Sequence, residues 1–173
     1  QKSRILYGLH TARQGIQRAD RVFVVEGYFD VLALHQAGYT EAVATCGTAL
    51  TPEHLERLRR MTRDVILVMD ADEAGQRAAE RSLPLFMRAG IQPWRLELPG
   101  AKDPDEFVRE AGKEAFDKAV DERESLLEWV VRRKIGSRVD VMSRERVAED
   151  LLPLLTSAPY LLISKVAARL NLR

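Results

Sequence analysis

The sequence predicts an α/β fold in which a mostly parallel sheet is flanked by helices, followed by a small all-helical subdomain. Short apolar runs alternate with helical patterns through the first hundred residues, as in strand–helix units of a parallel sheet. The runs are continuously apolar, which is typical of strands covered on both faces. After residue 104 only helical patterns follow.

The elements of the α/β part follow in order. Apolar residues at helical spacing predict a first helix over 4–17. Runs rich in Val, Leu and Ala predict strands at 22–25, 42–45, 65–69 and 93–98. Helical spacing between them predicts helices at 31–37, 52–63 and 73–89. Thr51 and Pro52 are a good N-cap and first helical residue, and Pro84 predicts a bend or an interruption in the third of these helices.

The second part begins between residues 104 and 122 and contains only helical patterns. Four segments carry these patterns: "DEFVREAGKEAFDKAV", "SLLEWVVRRKI", "SRERVAEDLLPLLT" and "YLLISKVAARL". The chain starts inside a predicted helix and ends without a helix cap. We therefore expect it to be a piece of a longer protein.

Composition excludes several classes of protein. The 173 residues carry a formal charge of +1 and 46% apolar residues, so a core can form and any nucleic-acid contact must be a local basic patch. A single cysteine, Cys46, leaves no disulfide framework, and the three histidines have no cysteine cluster beside them. We expect no zinc site in this fragment, no membrane segment and a cytoplasmic location.

Acidic side chains follow two of the predicted strands. Glu26 ends the first strand, and Asp70 and Asp72 end the third. Ligands bind at the carboxyl ends of strands in such sheets. Two carboxylates about 4 Å apart repel by roughly 4 kcal/mol at an effective dielectric near 20. Such a cluster either takes up a proton or holds a hard cation, Mg²⁺ or Mn²⁺.

Some of the acids also have a purely structural interpretation. Asp72 could cap the helix that starts at Glu73, and Asp30 could cap a helix at Val31. In "KDPDEF", Asp103 is placed as an N-cap, although Asp103 and Asp105 could also join the acidic edge. The arginines of the helix at 52–63 fit a solvated face. There is no phosphate-binding G-x-x-x-x-G-K-[ST] loop and no G-x-G-x-x-G fingerprint.

Five segments in this order resemble bacterial replicative DNA primases of the DnaG type: "LYGL", "VVEGYFDVLAL", "ATCGTALT", "VILVMDADEAG" and "KDPDEF". The second and fourth are similar to the two acidic motifs of the TOPRIM fold. The resemblance implies a helix that ends a preceding subdomain at 1–18, a TOPRIM catalytic subdomain at 19–113 and a truncated helical subdomain at 114–173. One departure is Ala71, where the family usually has Gly between the two aspartates.

The resemblance also implies roles for individual residues. Glu26, Asp70 and Asp72 are expected to be catalytic and to bind metal, with further acids of the same site at Asp30, Asp103 and Asp105. Lys2 is expected to be catalytic, and together with Arg4 to bind the nucleotide or nucleic acid.

The function implied is metal-dependent synthesis of short RNA primers on single-stranded DNA, a nucleotidyl transfer within the primosome. The cofactor would be Mg²⁺ or Mn²⁺. The partners would be the DNA template, ribonucleoside triphosphates and the replicative helicase, the last through a module absent here. Because much of the template groove is missing, we expect the isolated fragment to be weak or inactive.

Three alternatives remain at this stage. The acids alone would also suit another TOPRIM phosphotransfer enzyme such as a nuclease. A haloacid-dehalogenase-type phosphatase also has D-x-D after a strand, but after its first core strand, whereas here it follows the third. A receiver-like interaction domain gathers acids at strand ends too, but would leave "EGYFD" unexplained.

Overall fold

The computed structural model describes residues 5–135, together with residues 149, 152 and 164. Within them, five short strands lie along the chain: β1 (Val22–Val25), β2 (Ala42–Ala44), β3 (Val65–Leu67), β4 (Trp94–Arg95) and β5 (Glu124–Ser125). Six helices separate or flank them: α1 (Leu9–Ala19), α2 (Tyr28–Gln36), α3 (Pro52–Arg59), α4 (Glu73–Arg88), α5 (Pro104–Asp121) and α6 (Leu126–Ile135).

The strands form one sheet in the order β2-β1-β3-β4-β5. β1 pairs in parallel with both β2 and β3, and β3 pairs in parallel with β4. Only the last pair, β4 with β5, is antiparallel. The predicted mostly parallel sheet is thus confirmed, and the carboxyl ends of β1 and β3 are neighbours at one edge.

Each face of the sheet is covered by helices, which explains why the strands are apolar throughout. One core contains Val22, Val24 and Leu67 of the sheet with Leu58 of α3 and Phe86 of α4. The opposite core packs alternate strand residues, such as Phe23 and Ile66, against α2 and α5. Fully burying one such side chain contributes roughly 1.5–3 kcal/mol. The two cores fix the helices around the sheet.

The first helix begins later than the spacing predicts. Residues 5–7 are not helical, and Tyr7 forms an antiparallel bridge with Ala44 of β2 through hydrogen bonds of 2.8 and 3.1 Å. Gly8 then takes a left-handed φ of 77° and turns the chain into α1. The predicted start at residue 4 is wrong because Leu6 reaches the core from this extended segment rather than from a helix.

The other elements differ from prediction mainly at their ends. α2 starts at Tyr28, three residues before the predicted start, and α4 runs continuously through Pro84. The expectation of no strand after residue 104 is wrong, since β5 adds two residues to the sheet edge beside β4. Apart from the single residues 149, 152 and 164, the helical segments predicted near 143–156 and 160–170 lie outside the described residues.

The predicted division at residues 113 and 114 falls inside α5. This helix is broken at Gly112, which has a left-handed φ of 80°. Residues on both sides of the break, Phe107 and Phe116, belong to the same buried core as the sheet. The three predicted units stay a prediction. Among the described helices, none has the length and apolar character needed to cross a membrane.

Candidate functional site

The acids that follow β1 and β3 meet at the carboxyl edge of the sheet. The backbone N–H of Asp70 donates a hydrogen bond of 3.1 Å to Oε1 of Glu26. The Glu26 side chain therefore points at the turn that carries Asp70 and Asp72. This contact follows from the parallel pairing of the two strands, which ends them side by side.

Asp70 is the acid that is least compensated by protein groups. Its Oδ1 is buried and has no hydrogen-bond partner. Burial and then the carboxylates of Glu26, Asp30, Asp103 and Asp72, in that order, raise the pKa of Asp70 to about 7. Without a cation, this group is therefore partly protonated near neutral pH. A buried carboxylate oxygen surrounded by like charges is the environment that a bound cation would relieve.

Asp30 is buried, with 6% of its surface exposed. The prediction that it caps a helix starting at Val31 is wrong. Asp30 lies in the first turn of α2, and its Oδ2 accepts a 2.9 Å hydrogen bond from the N–H of Gly27, the N-cap. Its Oδ1 accepts a 3.4 Å bond from the N–H of Asp105. Burial raises the pKa of Asp30, and these two hydrogen bonds partly oppose that rise.

Asp72 and Asp103 are both helix N-caps, as their positions predict. Oδ1 of Asp72 accepts from the N–H of Gly75 at 2.7 Å, and Oδ1 of Asp103 accepts from the N–H of Glu106 at 2.8 Å. Each cap uses one of two carboxylate oxygens, so capping does not prevent a second oxygen from binding a cation. Asp105 also forms a 3.4 Å ion pair with Arg109.

The segment before α5 is tied to the turn after β3. The N–H of Ala71 donates a 2.9 Å hydrogen bond to the carbonyl of Lys102. Together with the bond from Asp105 to Asp30, this contact holds the start of α5 against the acidic edge. The acids of "KDPDEF" thereby come near Asp70, although they lie more than thirty residues further along the chain.

Gly75 is a structural requirement of the site that the sequence analysis missed. A Cβ on Gly75 would lie 2.8 Å from Oε1 of Glu26 and 2.4 Å from the carbonyl oxygen of Asp70. Only glycine lets the first turn of α4 approach both acids this closely. The available signal was the position of Gly75 at the end of "DADEAG".

The remaining site predictions have different outcomes. Within residues 5–135, no three His, Cys, Asp or Glu side chains are arranged as a ready-made metal site. Several of the acids bond to backbone N–H groups, as described above. Lys2 and Arg4 lie outside the described residues, so their predicted contacts with phosphate stay predictions.

Known proteins resemble this chain in sequence and in fold. Residues 23–108 match the protein family described as Toprim-like. The chain is 39% identical over 165 residues to the DNA primase of Escherichia coli (strain K12), covering 91% of this chain and 28% of that protein. A crystal structure of a DNA primase domain from Pseudomonas aeruginosa matches with a TM-score of 0.88 and 33% identity over 100% of this chain and 57% of that one. This chain belongs to the DnaG-type bacterial DNA primase family.

A second solved member of the DnaG family is a primase catalytic domain bound to single-stranded DNA. It matches with a TM-score of 0.87 and 35% identity, covering 99% of this chain and 57% of that one. These primase matches favour the primase interpretation over the phosphatase and receiver alternatives, and they confirm the TOPRIM-type fold. The chain spans only about a quarter of the curated primases it matches, 22% of one from Rickettsia prowazekii and 28% of the Escherichia coli protein.

Proposed function

We propose that this chain is the catalytic TOPRIM segment of a primase that synthesises short RNA primers on single-stranded DNA. The observation that carries the proposal is the acidic edge, where Glu26 faces the turn of Asp70 and Asp72. This edge occurs in a chain of the DnaG-type family, whose members include a catalytic domain bound to single-stranded DNA. Its substrates would be ribonucleoside triphosphates and a DNA template.

The chemistry of these acids suits a divalent cation, Mg²⁺ or Mn²⁺. Glu26, Asp70 and Asp72 would hold it, and Asp30, Asp103 and Asp105 would add negative charge nearby. The supporting observation is Oδ1 of Asp70, a buried carboxylate oxygen without a hydrogen-bond partner. Carboxylate oxygens are the ligands that these hard cations prefer. A bound cation would supply activation of the primer 3′-hydroxyl and neutralisation of the leaving pyrophosphate.

The protein's own groups have positioning roles in this proposal. The N–H of Asp70 fixes one oxygen of Glu26, so the Glu26 carboxylate is oriented before any ligand binds. The cap bonds of Asp72 and Asp103 fix the direction of their carboxylates in the same way. Such preorganisation reduces the cost of arranging charges at the moment of reaction. None of these residues has to transfer a proton in the reaction.

In this proposal, the positively charged groups of the site come from the first residues of the chain. Lys2 would contact phosphate at the reacting centre, and Arg4 would lie on the same basic track. Contacts to a DNA backbone depend strongly on salt, so template binding should weaken as ionic strength rises. The replicative helicase would be engaged by a part of the protein outside this chain.

Binding of Mn²⁺ by the whole 173-residue chain tests the proposal, measured by electron paramagnetic resonance or calorimetry. Glu26→Gln and Asp70→Asn should each weaken Mn²⁺ binding by roughly tenfold or more, because loss of even an indirect partner of a metal costs about 10–100-fold. The same substitutions in the complete primase should abolish primer synthesis.

Glu56→Gln is the matched control, since Glu56 is an exposed acid of α3 that, among the described residues, pairs with Arg60. It should bind Mn²⁺ like the unaltered chain. If Glu26→Gln and Asp70→Asn bind Mn²⁺ as tightly as Glu56→Gln, the acidic edge is not a metal site and the proposal is wrong.

A further inference from the structure

The turn that carries Asp70 and Asp72 is held through both backbone groups of its middle residue, Ala71. The N–H of Ala71 donates a 2.9 Å hydrogen bond to the carbonyl of Lys102. The carbonyl of Ala71 accepts a 3.1 Å bond from Nε2 of Gln76. Gln76 lies near the start of α4, and a long helical side chain points back toward the N-terminus of its helix. The Gln76 amide therefore lies over the turn that precedes α4.

The other end of the Gln76 amide is bound by a residue of α6. Oε1 of Gln76 accepts a hydrogen bond from Nη1 of Arg133. The amide thus lies between a guanidinium, which can only donate, and a carbonyl, which can only accept. Glutamate at this position would lack the donor, and lysine or arginine would lack the acceptor. Among side chains of similar length, an amide is the group that binds both partners.

Arg133 is held in place by further contacts. Its guanidinium lies over the ring of Trp129, 5.5 Å from the ring centroid, and Trp129 is a buried residue of the same helix. Nε of Arg133 also lies 3.8 Å from a carboxylate oxygen of Glu80 on α4, and 35% of the Arg133 side chain is exposed. Because these contacts already restrict the Arg133 side chain, its bond to Gln76 costs little additional conformational entropy.

These contacts form a continuous chain of bonds from α6 to the acidic edge. Arg133 binds Gln76, and Gln76 binds the carbonyl of Ala71. Ala71 lies between the two aspartates that would hold the cation. A displacement of α6 relative to α4 would therefore act on the turn of these aspartates through one side chain.

A purely structural role for Gln76 would be to attach α6 to α4. The two helices already meet through apolar side chains, since Val130 of α6 and Leu83 of α4 belong to the same buried core. They also meet through the ion pair of Lys134 with Glu80. Attachment of the helices would not require the bond from Gln76 to Ala71, because Ala71 belongs to neither helix.

We propose that Gln76 is a positioning residue of the primase reaction, which couples the placement of α6 to the turn of Asp70 and Asp72 and so raises the affinity of the acidic edge for its cation. This inference rests on the proposed function. Gln76 acts on the aspartates only through Ala71, whose carbonyl it fixes, and this limits the directions in which the neighbouring carboxylates point. Loss of such an indirect partner typically weakens metal binding by about 10–100-fold.

Binding of Mn²⁺ to the 173-residue chain, measured by calorimetry, tests the inference with Gln76→Met and Arg133→Met. Methionine keeps a long unbranched side chain but forms neither bond. Gln76→Met should weaken Mn²⁺ binding by roughly tenfold. Arg133→Met should weaken it by roughly threefold, because it removes the group that orients the amide but leaves the amide in place. Since both residues act along one chain of bonds, the double variant should bind Mn²⁺ no more weakly than Gln76→Met does.

Lys134→Met is the matched control. It removes the same charge from α6 and an ion pair between α6 and α4, that of Lys134 with Glu80 at 3.0 Å, but leaves both bonds of Gln76 in place. This variant should bind Mn²⁺ like the unaltered chain, and melting temperatures should show that all the variants are folded during the assay. Equal weakening by Lys134→Met and Arg133→Met would mean that Gln76 only helps to attach the helices, and the inference would be wrong.

NMR relaxation of the metal-free chain gives a readout that does not depend on the cation. The order parameters of the backbone N–H groups of Asp70, Ala71 and Asp72 should fall in Gln76→Met and Arg133→Met and stay unchanged in Lys134→Met. A turn that is equally rigid in Gln76→Met and in the unaltered chain would show that Gln76 does not hold it, which would overturn the inference.

The same measurements distinguish failure of this inference from failure of the proposed function. If Glu26→Gln loses Mn²⁺ while Gln76→Met binds it as tightly as the unaltered chain, the proposed function stands and the role of Gln76 is wrong. If Glu26→Gln and Asp70→Asn both bind Mn²⁺ normally, the proposed function is wrong and this inference is wrong with it.

Discussion

At Asp70, burial and repulsion by neighbouring carboxylates act together on one side chain. Its turn follows β3 directly, and one of its oxygens is enclosed without a hydrogen-bond donor. An apolar core residue at this position would stabilise the fold without any electrostatic cost. The retained carboxylate is therefore best explained by a ligand that the folded chain binds. Asp30, which is also buried, adds to the same unfavourable charge.

The raised pKa of Asp70 predicts how stability depends on pH. The pKa rises from an ordinary 3.8 to about 7 in the folded chain, so the folded state holds this proton more tightly than the unfolded state does. The resulting stabilisation is complete below about pH 4 and is lost as pH rises through about 7. In the presence of a chelator, the melting temperature should fall over this range. Because Asp70 is partly exposed, its contribution to the free energy of unfolding is taken as only about 1 kcal/mol. Such a contribution changes the melting temperature by about 2–4 °C.

Asp70→Asn is the control for this pH profile. An amide of nearly the same shape does not titrate, so the variant should lose much of the fall in melting temperature between pH 5 and 8. Added Mn²⁺ should restore stability at the upper end of the range in the unaltered chain only. Identical profiles for the two chains would show that Asp70 titrates normally.

At the scale of elements, the site lies where the N-termini of helices come close to the ends of strands. α2, α4 and α5 all begin at the acidic edge, with Asp30, Asp72 and Asp103 in their first turns or cap positions. The partial positive charge at a helix N-terminus stabilises a nearby carboxylate, typically by about 0.3–1 kcal/mol. The helices thus compensate part of the repulsion among the acids and position them at the same time.

Asp103 allows the capping role to be separated from the electrostatic role. Asp103→Asn keeps an oxygen that accepts from the N–H of Glu106, whereas Asp103→Ala removes it. The free energy of unfolding should fall by about 1 kcal/mol for the alanine variant and by less for the asparagine variant. Both should lower the pKa of Asp70, because the carboxylate of Asp103 contributes to its rise. Urea denaturation and NMR titration measure the two effects.

If the asparagine and alanine variants are equally destabilised, Asp103 does not act as a cap. If neither variant alters the titration of Asp70, the charge of Asp103 is screened from the site. Glu110→Gln, on an exposed part of α5, provides the comparison for a change of charge far from the cap.

Elements with a strong local signal were predictable from the sequence. The apolar run at Val22–Val25 and the cap formed by Thr51 with Pro52 depend on neighbouring residues only, and both were predicted correctly. The bridge of Tyr7 to Ala44 could not be predicted, because the spacing of Leu6 and Leu9 fits a helix equally well. The start of α2 was missed because glycine is a weak cap signal and its partner Asp30 lies three residues later.

At the scale of the whole molecule, the pairing of strands decides which acids meet. The sequence placed Glu26 and Asp70 at strand ends, but only the observed order, with β1 beside β3, makes them neighbours. Sequence analysis thus found the acidic residues, while the requirement for glycine at Gly75 needed the folded chain.

For this chain alone, the same reasoning predicts normal binding of Mn²⁺ but slower primer synthesis. The acids that would hold the cation lie within it, but it covers only 57% of the solved primase domain of Pseudomonas aeruginosa. We therefore expect much of the surface that would hold the template to lie in the other part of such a domain. The 173-residue chain should bind Mn²⁺ as tightly as the complete catalytic domain does. Its primer synthesis should be slower by at least roughly tenfold, because contacts to template phosphates are lost.

A primer-synthesis assay on single-stranded DNA, run side by side with the catalytic domain at the same salt concentration, measures this difference. Lowering the salt should recover part of the activity if weak template binding is the cause, since phosphate contacts strengthen as ionic strength falls. Activity equal to that of the catalytic domain would mean that the acidic edge and its helices suffice to hold the template. In that case the template-binding surface would have to lie within this chain.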